Sequence, residues 1–72
     1  MRIEWEPNAS IKVDVQGGET ALSANREGLL SLARIFADLA EEPPGSHIHL
    51  DAYNSLEDGS AEMIIEKVEK IP

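Results

Sequence analysis

No cysteine occurs in the 72 residues, so no disulfide can staple the fold. A chain this short lies near the size where one hydrophobic core is barely sufficient, which leaves packing, a metal or self-association to supply stability. Aromatic residues are equally scarce, with one each of Trp, Tyr and Phe. Trp5 is therefore expected to be a core anchor rather than a ligand platform. Long apolar runs are missing as well. No segment approaches the roughly 18 consecutive apolar residues of a membrane span, and the N-terminus alternates charged and apolar residues where a signal peptide would run basic and then apolar. The chain reads as one soluble, cytoplasmic domain over residues 1–72. The last shortage is of positive charge. Six basic residues against fourteen acidic ones give a formal net charge of -8, which repels nucleic-acid phosphates and anionic lipid and so argues against both as direct partners. The same charge would steer a basic partner inward, although solubility alone is the plainer explanation.

The chain divides into alternating and helical stretches without an internal repeat or low-complexity segment. Arg2 to Glu6 alternates, with Ile3 and Trp5 on one face, and reads as a first strand ended by Pro7 and Asn8. Ile11, Val13 and Val15 repeat the alternation and predict a second strand, joined to the first as a hairpin. Gly17-Gly18 marks a tight turn and, with no phosphate fingerprint after it, is not a nucleotide loop. Glu19 to Ser23 reads as a brief third strand. Ser23 or Asn25 then caps a helix with Glu27 in its first turn. Leu29, Leu32, Ala33, Phe36, Leu39 and Ala40 recur at helical spacing and predict its buried stripe, with Ser31, Arg34, Asp38 and Glu41 outside and Ile35 at the edge. Gly28 inside that helix suggests a close backbone approach. Pro43-Pro44 stops it.

Ser46 to Asp51 predicts another strand, and the turn-rich residues 52–60 follow. Residues 61–71 fit a helix or a strand, and their β-branched residues and strand neighbour favour a strand. These elements imply a two-layer α+β domain in ββαββ order: one antiparallel sheet of about four strands with one helix on one face.

The stretch from Gly45 to Ser60 carries most of the chemistry, including both histidines and the tyrosine. Strand alternation sends His47, His49 and Asp51 to one face and Ile48, Leu50 and Ala52 to the other. Two imidazoles and a carboxylate are zinc-ligand types, and an open fourth position would permit hydrolysis. Alternate strand residues nevertheless stand about 7 Å apart, too far for a compact shell. Solvent-facing histidines are the plainer reading, and no metal or cofactor is assigned. No nucleophile elbow or phosphate-cradling loop is present, and adjacent Glu57 and Asp58 read as a solvated turn rather than an acid/base pair, so an enzyme is not expected. Interaction is the stronger reading. Asp51, Glu57, Asp58 and Glu62 would form an acidic rim around Tyr53, which is either an amphipathic anchor for a partner or packed beneath its own loop.

Three stretches together resemble a known family. They are Asn25-Arg26-Glu27-Gly28-Leu29-Leu30-Ser31-Leu32-Ala33, Gly45-Ser46-His47-Ile48-His49-Leu50-Asp51 and Asn54-Ser55-Leu56-Glu57-Asp58-Gly59-Ser60-Ala61-Glu62. The resemblance is to immunity protein 32 of bacterial polymorphic toxin systems, over roughly residues 22–68. It implies an α+β antidote that binds and neutralises a toxin encoded beside it, with no catalytic residue to carry over. On this reading Asp51, Tyr53, Glu57 and Asp58, with His47 and His49 as neighbours, contact the toxin, for which a basic nuclease is one candidate. The alternatives are a small metal-binding domain or hydrolase using His47, His49 and Asp51, and a subunit that self-associates, as in a homodimer.

Overall fold

A computed structural model describes residues 2–71. Its elements follow the order β1 (Ile11–Gln16), β2 (Glu19–Ala24), α1 (Arg26–Ala40), β3 (His47–Leu50) and β4 (Met63–Glu66). The fold is α+β, but the strands form two separate antiparallel hairpins, β1-β2 and β3-β4, in place of one four-stranded sheet. The segment between them explains the split. Glu57 and Ala61 donate their amides to the carbonyls of Ile11 (2.9 Å) and Val13 (2.8 Å), so the loop before β4 occupies the edge of β1 that a neighbouring strand would take.

The expected strand at Arg2–Glu6 does not form, and the first hairpin is β1-β2 instead. Gly17 and Gly18 adopt φ values of +56° and +82°, the two successive positive angles that a two-residue hairpin turn requires and that glycine reaches without steric cost. The N-terminal segment runs along the helix. The Glu6 amide donates to Ser31 Oγ (2.9 Å) and Arg34 reaches the Glu4 carbonyl (3.3 Å) and the Glu6 carboxylate (3.1 Å).

The helix buries a different row from the expected stripe. Its buried residues are Gly28, Ser31, Leu32, Ile35 and Leu39. Ile35, placed at the edge by the sequence pattern, is fully buried, whereas Leu29, Ala33, Phe36 and Ala40 are exposed. Ser31 is tolerated inside because its hydroxyl donates to the Glu27 carbonyl while accepting from Glu6. Asn25, not Ser23, caps the helix: its Oδ1 accepts from the amides of Gly28 (2.8 Å) and Ser10 (3.0 Å), and its Nδ2 donates to the Asn8 carbonyl (2.7 Å). One side chain thus ties the helix start to the entry of β1. At the other end no basic residue lies in the last helical turn, and Lys67, just past β4, donates to the carbonyls of Ala40 and Glu42 in its place.

One core joins these parts. Ile11 and Val13 from β1, Leu32 and Ile35 from α1, Ile48 and Leu50 from β3, and Leu56 from the loop form a single buried cluster, with Trp5, Ala24, Ala61, Met63 and Ile65 packed against it. Trp5 therefore serves the core as expected, although from an irregular segment. No helix is long and apolar enough to cross a membrane among the described residues.

Candidate functional site

The β3-β4 hairpin and its loop present the residues singled out from the sequence. Ile48 and Leu50 point into the core, so alternation sends His47 and His49 outward, where both are exposed. The register pairs His47 with Glu66 and His49 with Ile64, and Ile64 is itself exposed on that outer face. The two imidazoles meet edge to face, with ring centroids 5.1 Å apart at 72°. His47 Nδ1 lies 3.2 Å from the Gly45 carbonyl. A carbonyl can only accept, so this contact is a hydrogen bond in the tautomer that carries its proton on Nδ1.

Asp51 leaves this face. Its Oδ1 accepts from the amides of Tyr53 (2.9 Å) and Asn54 (3.2 Å), and its carbonyl accepts from those of Ser55 (3.0 Å) and Leu56 (2.8 Å). The carboxylate therefore shapes its own turn. This is why alternation, valid through Leu50, does not line Asp51 up with the histidines as a metal shell. Among the described residues no group of three or more His, Cys, Asp or Glu could hold a metal ion. Asp51 does rejoin His49 in a cleft at the end of β3, whose other walls are Leu50, Glu62, Met63 and Ile64.

Beyond Asp51 the loop is held down at several points and open at its tip. Leu56 is buried in the core, Ser60 Oγ accepts from the Val13 amide (3.1 Å), and Lys12 Nζ donates to the Asp58 carbonyl (3.2 Å). Between the Asp51 turn and Leu56, Tyr53 is 97% exposed, so it does not pack beneath its own loop. Glu57 and Asp58 are also exposed. The loop thus displays a phenol and two carboxylates from a backbone fixed by its neighbours.

Sequence reasoning did not single out Ile64, whose side chain stands beside His49 on the outer face. The signal was available: once Met63 and Ile65 are assigned inward, alternation exposes Ile64. It also took Leu29 and Phe36 for core residues, and both are surface.

A family model described as immunity protein 32 matches residues 19–68, from the start of β2 to just beyond β4. No curated protein and no solved structure matches the chain significantly. The matched span contains the helix, the histidine strand, the Tyr53 loop and β4, and on that coverage the chain belongs to the immunity protein 32 family.

Proposed function

We propose that this chain is the antidote to a bacterial polymorphic toxin encoded beside it, and that it neutralises the toxin in the cytoplasm by covering an active site or essential surface. Family membership implies an immunity protein with a toxin partner, and proteins of this kind generally act by binding rather than turnover. The contact surface is the Tyr53 loop with Glu57 and Asp58, flanked by His47, His49 and the Asp51 cleft.

The exposure of Tyr53 carries this reading. In a chain with three aromatic residues, one left almost wholly in water on an anchored loop gives the monomer no burial. An amphipathic ring of that kind loses little entropy on binding and fills a partner's pocket well. The exposed carboxylates of Glu57 and Asp58 further along the loop suit a basic toxin, a nuclease among them, because they can stand where substrate phosphates would sit. Calorimetric titration of the adjacent toxin domain tests the assignment. Stoichiometric binding that Tyr53→Ala weakens at least tenfold supports it, and unchanged affinity removes this loop from the interface.

A further inference from the structure

At about 100° per residue, Leu29, Ala33, Phe36 and Ala40 fall on one stripe along α1, beside the buried row of Gly28, Leu32, Ile35 and Leu39. All four stripe residues are exposed, as are Leu30 and Ala37 on its flank. The apolar arc of the helix is thus wider than the core uses. Its acidic residues, Glu27, Asp38 and the C-cap Glu41, lie more than a quarter turn from the stripe's centre, and Arg26 is the one charged helix residue near it.

We propose that this stripe is a homodimer interface, in which α1 of a second copy packs antiparallel about a two-fold axis. Three features favour a second copy over another occupant. First, an antiparallel register centred between Ala33 and Phe36 sets Leu29 against Ala40 of the second copy and Phe36 against its Ala33, so every large residue meets a small one. Second, each chain carries a net charge of -8, and this is a face where two copies meet without opposing helix carboxylates. Third, a two-fold of this kind keeps matching flanks of the helices together. It brings Arg26, whose side chain is 79% exposed and makes a long 3.7 Å pair with its own Glu27, towards Glu41 of the second copy, beside the helix end whose carbonyls Lys67 already meets. The contact is isologous, so Arg26 and Glu41 pair twice.

Phe36 and Ala40 of the stripe line a groove with Ile65, on the core side of the β3-β4 hairpin, whereas His47 and His49 lie on its outer side. A dimer formed through α1 therefore leaves the histidine face open on both copies.

Sedimentation equilibrium of the full chain at tens of micromolar, with variants, tests the proposal. The wild type is expected at twice the 7.9 kDa chain mass. Ala33→Glu, at an exposed position that accepts a good helix former, should give a monomer with unchanged circular dichroism. Arg26→Glu should weaken dimerisation at least tenfold, and adding Glu41→Arg to it should restore most of that loss. A wild-type monomer at these concentrations overturns the proposal, as does a dimer that survives Ala33→Glu or an Arg26→Glu loss that Glu41→Arg fails to reverse. Should the wild type be monomeric while Ala33→Glu abolishes binding of the toxin domain, the stripe belongs to the toxin.

Discussion

A methyl group placed on Gly28 would stand 2.8 Å from the carbonyl oxygen of Ser10, with Ile11 Cγ1 and Ala24 Cβ at 3.0 and 3.1 Å. The helix crosses the first hairpin too closely there for any side chain. Gly28→Ala is expected to lower stability by about 1–3 kcal/mol through overpacking, although alanine is the better helix former by about 1 kcal/mol. Chemical denaturation measures the sign. A stabilised variant would mean that helix and hairpin separate at no cost.

Asn25 offers an independent measure of the same junction. Asn25→Ala removes the cap of Gly28 and both side-chain bonds to the 8–10 segment. The cap alone accounts for about 1 kcal/mol, and the further bonds should carry the loss beyond it. Asn25→Asp keeps the acceptor and loses only the bond to the Asn8 carbonyl, so it should fall between the two in a urea titration.

Leu56 holds the Tyr53 loop to the core. Leu56→Ala is expected to cost about 2–5 kcal/mol and to raise amide hydrogen exchange selectively over residues 51–60. Exchange that rises evenly along the chain would show that the anchor is global rather than local.

Charge reversal separates steering from contact. Glu57→Lys with Asp58→Lys should slow association with a basic toxin and flatten its salt dependence, with some loss of stability from the second ammonium beside Lys12, which holds the Asp58 carbonyl. Asp51→Lys would confound the same experiment, since that carboxylate organises the turn that carries Tyr53. Stopped-flow association at two ionic strengths reads the effect, and an unchanged rate excludes Glu57 and Asp58 from the encounter surface.

The parts of the fold that depend on local pattern were legible in the sequence. The alternation of Ile11 and Val13 and of Ile48 and Leu50 follows from short-range geometry and stands in the structure, and of the two caps the pattern allows, Ser23 or Asn25, the structure takes Asn25. What the pattern could not give was which neighbour takes which face. Ile3 and Trp5 alternate like a strand, yet the backbone there bonds to Ser31 and Arg34 of the helix, a tertiary choice with no local signature. The helix shows the same limit. Its wide apolar arc includes both Leu29 and Ile35, and tertiary packing puts Ile35 in the core with Ile11, Ile48 and Leu50 while Leu29 stays out. At the candidate site, His47 and His49 follow from strand period, whereas Asp51 sits one residue past β3 and is captured by its own turn.

Neutralisation of a toxin bound through the Tyr53 loop can be read from the toxin's own activity. The most direct measurement titrates the wild-type chain and Tyr53→Ala into the adjacent toxin domain while following that domain's activity. Stoichiometric loss of activity is expected with the wild type, and at least tenfold more of the variant for the same effect. Full toxin activity in the presence of excess wild-type chain, with the chain folded and the domain active, would contradict neutralisation.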